Sequence, residues 1–285
     1  MKLLKRILFL LFIAIVIAVI GFGYIAYRAT IGLPFYETEA HIVDIPQDQQ
    51  TVLLFSKTNG FVHGKAIKES EKAFTKMAEE NNWFLYQTKD AGIFNKEQLA
   101  QFDVTVWNNV SGNVLTTEQR KVFKAYMING GGFVGIHAAG DGSHKWEWYV
   151  DKLIDARFSH HPIKNQLQAS LVSSEPQTDN ITAIPAITDW THTEEWYIFH
   201  DNPRANGSNI LYTIDGSSID PNGVLGPIQR KKTFGMGKDH PVVWNNLVGR
   251  GRALYSSMGH TAESFQEEKH LAVLENAIKW AGKFE

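Results

Sequence analysis

The chain of 285 residues contains no cysteine. Disulfide bonds, thiolate catalysis and cysteine-ligated metal sites are therefore excluded by composition alone. An exported domain without disulfides remains feasible if its core is large enough. The formal net charge is only −2, and no long basic run occurs after the first residues, which argues against a nucleic-acid partner.

The sequence also lacks several short motifs that identify enzyme classes. Neither HxxxH nor HExxH spacing occurs, so no local zinc motif is present. The glycines at Gly130–Gly132 precede a predicted strand, whereas a dinucleotide-binding fingerprint follows one. We therefore expect no nucleotide cofactor.

One long segment near the N-terminus is free of charge. The run Ile7–Tyr27 is apolar and follows Lys2, Lys5 and Arg6. At about 1.5 Å of rise per residue, it is long enough to cross the hydrocarbon core of a bilayer. The positive flank predicts a cytoplasmic N-terminus and an exported C-terminal domain. Residues 1–29 are thus predicted to be a single-pass membrane anchor, with a cleaved signal peptide as the alternative.

The remainder divides into a linker and one domain. Residues 30–49 show no clear periodicity, which predicts a linker. Residues 50–285 are sufficient for one large α/β domain. The sequence does not indicate its oligomeric state.

Short apolar runs alternate with amphipathic segments in the first half of this domain. Strands are predicted at 51–55, 83–87, 104–107 and 132–136, and helices at 65–81 and 116–129. The second helix begins at the capping-box sequence Thr116–Gln119. This order predicts an α/β fold with a mostly parallel, flavodoxin-like sheet and helices on both faces.

The pattern weakens between 166 and 240, where we expect a partly antiparallel excursion. Strands are predicted there at 167–172, 196–199 and 210–214, with turns at Asp215–Gly216, at Pro221–Gly223 and around His240–Pro241. Regularity returns with a strand at 253–257 and a last helix at 267–281.

The segment Gly135–Gly140 has the pattern of a strand-to-turn elbow. In many α/β hydrolytic enzymes such a turn presents a serine or cysteine nucleophile. Here the presented side chain is His137, which can bind a metal or transfer protons but is a poor replacement for a hydroxyl or thiol. His137 is therefore predicted to be catalytic through different chemistry.

Two further histidines follow predicted strands of the parallel sheet. His63 lies in the loop after the first strand, and His260 follows the strand at 253–257. Ligands of parallel α/β sheets bind beyond the carboxyl ends of the strands. We therefore expect His63, His137 and His260 to meet at one edge of the sheet.

The loop at His160–His161 offers two imidazoles, and Glu194–Glu195 offers one or two carboxylates, as candidates to join these histidines. Several imidazoles with a carboxylate are the usual ligands of Zn²⁺, Mn²⁺ or Ni²⁺. The predicted metal ligands are His63, His137, His161 and His260, and Glu195 is predicted to be catalytic with His137. The same residues without a metal could perform general acid–base chemistry, and the sequence leaves this alternative open.

Substrate contacts are predicted from polar and aromatic residues near the proposed site. Asp141 follows the elbow, where it could orient His137 or instead cap a helix. Asn59, Trp196 and Tyr197 complete the predicted substrate-binding set, because aromatic rings suit sugar faces and polar side chains suit hydroxyl groups.

Together these segments resemble the ThuA-like (trehalose utilisation) family. The matching segments occur in order over about residues 50–283: Ser56–His63, Gly130–Ala139, Trp146–Pro162, Glu195–Tyr197, His240–Trp244 and Gly251–His260. The resemblance implies a fold like that of class I glutamine amidotransferases, with His137 in place of their cysteine. It also implies a role in disaccharide or keto-sugar catabolism and recurrent polar positions at His63, His137, His161, Glu195 and His260.

Three functional hypotheses follow. The first is an exported, membrane-anchored enzyme that acts on a sugar or sugar derivative, as a hydrolase, isomerase or lyase. The second is a non-catalytic carbohydrate-binding or sensing domain that has lost the elbow nucleophile. The third is a structural partner in a membrane assembly, which predicts an exposed apolar patch. In the first two, the partner is a small carbohydrate, and the membrane is contacted through the N-terminal helix.

Overall fold

The computed structural model describes residues 2–30, 32–40, 42–162, 167–173, 189–219 and 236–284. The predicted turn at Pro221–Gly223 lies outside these residues. Helix α1 spans Lys2–Thr30. Its segment Lys2–Arg28 is long and apolar enough to cross a membrane, a test of length and composition that a signal sequence also passes.

The described part of the domain is built from strands that alternate with helices in its first half. The strands are β1 (Thr51–Phe55), β2 (Phe84–Thr88), β3 (Val104–Asn108), β4 (Gly132–Ile136), β5 (Phe158–His160), β6 (Leu167–Ser173), β7 (Trp190–Glu194), β8 (Ile198–Phe199), β9 (Asn209–Asp215), β10 (Asp239–Val248) and β11 (Gly251–Ser256). The helices are α2 (Gly64–Asn81), α3 (Lys96–Leu99), α4 (Thr117–Ile128), α5 (Pro203–Asn206) and α6 (Glu268–Gly282).

Nine of these strands form one central sheet in the order β2-β1-β3-β4-β11-β10-β9-β6-β7. The strands from β2 to β11 in this order are parallel to their neighbours. The remaining four are each antiparallel to the preceding one. The mostly parallel α/β sheet is thereby confirmed, and the antiparallel excursion lies at one side of it.

The continuous apolar run of β1 is explained by burial on both sides of the sheet. Val52 and Leu54 pack in a core with residues of α2 and α6. Leu53 and Phe55 point the other way, into a core with Phe123 of α4. Because successive side chains of a strand alternate between faces, a strand covered by helices on both faces has to be apolar throughout.

The start of α4 follows the predicted capping box. Thr116 Oγ1 accepts a hydrogen bond from the amide of Gln119, and Gln119 Oε1 accepts one from the amide of Thr116. The Gln119 side chain also donates to the carbonyl of Glu37, which lies in the predicted linker. The cap therefore fixes both the helix and the segment that precedes the domain.

Two predicted elements between 166 and 240 were wrong. The expected strand at 196–199 is reduced to β8 (Ile198–Phe199), which pairs with β5 outside the central sheet. The strand of the central sheet in this region is β7 (Trp190–Glu194), which was not predicted. His240–Pro241 does not form a turn but lies within β10. The pairing of β10 with β9 shifts register beside Pro241, and such a bulge tolerates a residue that has no amide hydrogen.

The predicted linker packs against the domain in the described residues. Lys57 forms an ion pair with Glu37, with Nζ 2.6 Å from Oε1. The amide of Val43 donates to the Gln98 side chain, and Ile45 is buried. Apart from Thr30 at the end of α1, the described residues of this segment form no helix or strand and are held by contacts with the loops and with α3.

Candidate metal centre

The strand order brings three predicted histidines to the same edge of the sheet. His63 ends the loop after β1, His137 follows β4 and His260 follows β11. The ring centroids of His63 lie 4.8 Å from those of His137 and 5.0 Å from those of His260. Residues that are nearly 200 positions apart in the sequence therefore form one cluster because their strands end at one edge.

His137 occupies the elbow with a strained main chain. Its φ angle is +47°, in the left-handed region that residues with a side chain rarely adopt. The residue starts a short 3₁₀ turn, His137–Gly140, directly after β4. Its Nδ1 lies 2.7 Å from the carbonyl oxygen of Ser257. A carbonyl only accepts, so Nδ1 carries a hydrogen and the neutral ring presents the lone pair of Nε2 to the cluster.

Glu195 completes the cluster from the opposite side. Its Oε2 lies 3.3 Å from Nε2 of His137 and 3.2 Å from Nδ1 of His260. The two imidazole nitrogens are 3.3 Å apart. One ligand atom from each of His63, His137, Glu195 and His260 lies within 4.8 Å of all the others.

This convergence requires a positive charge between the groups. The His137 Nε2 lone pair and the Glu195 carboxylate oxygen are both acceptors, and two acceptors at this distance repel each other. Either a proton on Nε2 or a metal ion removes the repulsion. The two possibilities correspond to acid–base chemistry and to metal-assisted chemistry at the same site.

The electrostatics of His63 favour a neutral ligand. Burial, followed by the neighbouring His137 and His260, lowers the pKa of His63 to about 2, although the nearby glutamates oppose this shift. Its Nδ1 is buried without a hydrogen-bond partner. Buried polar atoms of this kind are rare in folded proteins, and a neutral imidazole of a buried histidine can serve as a metal ligand.

Glu195 and His260 favour their charged forms. Burial raises the pKa of Glu195, but hydrogen bonds with His137 and His260 outweigh it and hold the value well below its ordinary range. Burial lowers the pKa of His260, whereas the Glu195 carboxylate raises it to a net value above the ordinary one. The carboxylate therefore supplies negative charge to any cation bound there.

The donors fit a divalent metal. Three imidazoles and one carboxylate are a ligand set for Zn²⁺, Mn²⁺ or Ni²⁺. A metal ion that replaces the proton between His137 and Glu195 would be bound by these groups in the unprotonated forms that metals need. The Nδ1 of His137 is fixed by a backbone carbonyl, as is usual for the second nitrogen of a metal-bound histidine. The structure thus contains a His/Glu group that could hold a metal ion.

His161 lies beside the cluster and not within its compact ligand group. Its Nε2 is 3.6 Å from Oε1 of Glu195, the oxygen that does not face His137 and His260. Its Nδ1 lies 3.0 Å from the carbonyl oxygen of Pro162. Its role as a metal ligand stays a prediction, and its position also suits proton exchange with Glu195.

Asn59 and Asp141 are engaged with nearby loops. The Nδ2 of Asn59 donates to the carbonyls of Phe35 and Asn113. The Oδ1 of Asp141 accepts from both the amide and the hydroxyl of Ser143. Burial raises the pKa of Asp141. Both side chains shape the loops around the site in this structure, and their predicted substrate contacts stay predictions.

The aromatic pair after Glu195 is buried. Trp196 packs in the core on the α2 side of the sheet. The centroid of the Tyr197 ring lies 4.1 Å from that of His137, with an interplanar angle of 34°, so the two rings pack against each other. The exposed ring beside the cluster is instead that of Phe61, 4.8 Å from His63.

Glu194, which the sequence left open as a second carboxylate beside Glu195, and His192, which sequence reasoning did not select, lie behind the cluster. Glu194 is fully buried and accepts hydrogen bonds from the amides of Gly259 and His260. His192 contacts Glu194 through Nε2 and Glu267 through Nδ1. Trp190, His192 and Glu194 alternate along β7 with exposed threonines, and this period of two was the available signal.

The comparisons with known proteins agree with this architecture. The family model for ThuA, described as trehalose utilisation, matches residues 51–281. None of the curated proteins compared with the chain matches it. A ThuA-like protein from Bacteroides uniformis is similar in structure, with a TM-score of 0.64, 23% identity and coverage of 85% of this chain and 94% of that one.

Two other solved structures show the same fold at lower identity. A ThuA-like protein from Parabacteroides merdae has a TM-score of 0.55 and 19% identity, covering 82% of this chain and 90% of that one. A β-galactosidase from Rahnella sp. R3 has a TM-score of 0.52 and 12% identity, covering 84% of this chain but only 32% of the enzyme. The family match spans most of the chain and confirms the resemblance, so the chain belongs to the ThuA, trehalose utilisation, family.

Proposed function

We propose that the chain is an exported, membrane-anchored enzyme of sugar catabolism that uses a divalent metal at His63, His137, Glu195 and His260. The observation that carries the proposal is the convergence of four possible metal ligands within 4.8 Å of one another, in which His137 Nε2 and Glu195 Oε2 lie 3.3 Å apart, a contact that a bound metal ion or a shared proton would satisfy. The substrate class, a disaccharide or keto-sugar, is supported by the family membership.

The bound metal would polarise a carbonyl or hydroxyl oxygen of the sugar. The chain's own residues provide the rest. The carbonyl of Ser257 fixes the tautomer of His137, and the ring of Tyr197 fixes its orientation. Buried Tyr197 also excludes water from the inner side of the site, so the substrate approaches from the side of the partly exposed His161 and His260.

Proton transfer is assigned to Glu195 and His161. Oε1 of Glu195 does not face the other ligands and lies 3.6 Å from Nε2 of His161. Because the pKa of Glu195 is lowered, its carboxylate is a weak base and does not retain a proton that it takes from the substrate. The neighbouring imidazole of His161 can then pass this proton on to solvent. A hydrolase, isomerase or lyase step can use this pair.

We also propose that the domain has the form of the flavodoxin-like fold found in class I glutamine amidotransferases. The strained elbow at His137 supports it, because the side chain stands where those enzymes present a nucleophile. The apolar α1 with its basic N-terminal flank supports single-pass anchoring with the domain exported.

Elemental analysis of the purified full chain tests the metal. We expect about one equivalent of Zn, Mn or Ni in the wild type, and its loss in the double variant His137→Ala, His260→Ala. The variant His200→Ala is a matched control, since it removes an exposed histidine outside the cluster. Absence of a metal after loading with all three ions would overturn the metal-assisted chemistry.

Turnover separates the enzyme from the non-catalytic alternative. The full chain, loaded with each metal in turn, is mixed with mono- and disaccharides, including keto forms. Consumption of one sugar by the wild type and His200→Ala, but not by the double variant, supports the enzyme. Sugar binding that survives the double substitution without any turnover supports a carbohydrate-binding or sensing domain instead.

A further inference from the structure

Two exposed apolar segments lie side by side next to the metal cluster. The first contains Leu33 and Phe35, and the second contains Phe61 and Val62. Phe35 is 67% exposed and Phe61 51%. We call these four residues the N-terminal patch. Outside α1, the described residues include nine exposed large apolar side chains, and four of the nine belong to this patch.

The two segments are joined through Asn59. The amide of Leu33 donates to the carbonyl of Asn59, and the Asn59 side chain donates to the carbonyl of Phe35. The loop itself is fixed from below, because Ser111 Oγ donates to the carbonyl of Phe61. The patch is therefore a fixed part of the domain surface, and exposed apolar surface of this kind marks an interaction site.

The chain length limits how far this patch can lie from α1. Helix α1 ends at Thr30, only three residues before Leu33. Three extended residues span at most about 11 Å. Tyr24, Tyr27 and Arg28 at the end of α1 are residue types that prefer the membrane interface. If α1 crosses a bilayer, Leu33 is held within about 11 Å of that interface.

We infer that the N-terminal patch rests on the surface of the bilayer in which α1 is anchored. This inference depends on the proposed membrane anchor. Its occupant is the lipid interface, since the covalent connection delivers the apolar residues to that surface and to no other. The domain is thus held in a fixed orientation and does not swing on a free linker.

The orientation has a consequence for the metal cluster. The ring of Phe61 lies 4.8 Å from that of His63, so the lipid-contacting loop also carries a metal ligand. If the patch rests on lipid, the loop that carries His63 is therefore held close to the membrane surface.

Depth measurements on the full chain in lipid nanodiscs test this inference. The chain contains no cysteine, so each introduced thiol is unique and can carry an NBD fluorophore. The test variants are Val62→Cys and Phe35→Cys. The positive control is Ile17→Cys in the middle of α1. The matched negative control is Leu247→Cys, an exposed apolar residue that pairs with the start of β11, at the opposite edge of the sheet.

Phospholipids brominated near the top of their acyl chains are the quencher. An apolar group seated at an interface lies about 5–10 Å into the boundary between head groups and chains, so we expect the labels at 62 and 35 to lose about half of their emission. The label at 17 lies about 15 Å below the interface, so it should be quenched by phospholipids brominated near the ends of their acyl chains, and the label at 247 should be quenched by neither lipid.

Two outcomes overturn the inference and are distinguishable. If the labels at 62 and 35 behave like the label at 247 while the label at 17 is quenched, the anchor stands but the patch is not seated on lipid. If the label at 17 is also unquenched, the anchor itself fails and the inference fails with it.

Discussion

The side chain of Glu194 holds the main chain of His260. Its Oε1 accepts a hydrogen bond from the His260 amide at 3.1 Å, and its Oε2 accepts one from the Gly259 amide at 2.6 Å. Burial raises the pKa of Glu194, but the hydrogen bond with His192, the nearby imidazole of His137 and the amide of Gly259 outweigh it and hold the pKa at about 2. A buried, ionised carboxylate thus positions the loop that carries one of the candidate metal ligands.

We expect Glu194→Ala to weaken metal binding by about 10- to 100-fold, because residues that orient metal ligands usually have effects of that size. The variant should also lose about 1–3 kcal/mol of stability for the buried amides left without an acceptor. Metal titration and urea unfolding measure the two effects. Glu263→Gln, at an exposed position nearby, is the control. Unchanged metal affinity in Glu194→Ala would show that the carboxylate does not position His260.

Gly259 is expected to be essential because of both its conformation and its surroundings. Its φ is +114°, and an added Cβ would lie 2.7 Å from Cγ2 of Ile136. Gly259→Ala should destabilise the fold by more than about 1–3 kcal/mol and displace His260. Gly207→Ala is the matched control, since φ there is +99° but no atom lies within 4 Å. Equal losses of stability in the two variants would mean that crowding at Gly259 contributes nothing.

Metal loading should stabilise the folded state by a free energy that rises with the logarithm of the free metal ion concentration. At a free ion concentration of about 100 times Kd, the expected gain is about 2.7 kcal/mol. Thermal unfolding with and without a chelator measures it in the wild type and in His137→Ala, His260→Ala. A chelator that lowers the Tm of both proteins equally would indicate that the ion acts elsewhere.

Acid should destabilise the protein through His270. Burial first, and then the nearby His192, lower the pKa of His270 from 6.5 to about 4. Between these values the unfolded chain binds a proton that the folded chain does not, so stability falls as pH decreases from about 6.5 to about 4. The shift corresponds to about 3 kcal/mol at most.

The variant His270→Gln keeps a donor for the carbonyl of Ser264 but does not titrate. The stability difference between wild type and His270→Gln should therefore change in favour of the variant as pH falls from 7 to 4. Urea unfolding at several pH values measures this, with His200→Gln as the exposed control. A difference that is independent of pH would show that His270 is protonated equally in both states.

Local sequence patterns were sufficient to predict β1 and the start of α4 in the first half of the domain. The apolar run of β1 was predicted with the bounds that the structure gives, and the Thr116 capping box begins α4. They succeed because burial on both faces and helix capping depend on residues only a few positions apart.

The same approach failed where long-range pairing overrides local preference. Pro241 suggests a turn, but pairing with β9 and a register shift accommodate it within β10. The polar sequence of β7 does not suggest a buried strand either. His192 and Glu194 are buried only because Glu267 and the amides of the Gly259–His260 loop satisfy them.

The sequence alone determined which histidines follow strands and therefore which edge of the sheet carries His63, His137 and His260. Only the tertiary structure decided that ring nitrogens of His137 and His260 face one carboxylate oxygen of Glu195, with His161 on the other. Periodicity encodes the burial of nearby residues, whereas these distances depend on which strands become neighbours. That choice is made by packing between residues far apart in the chain.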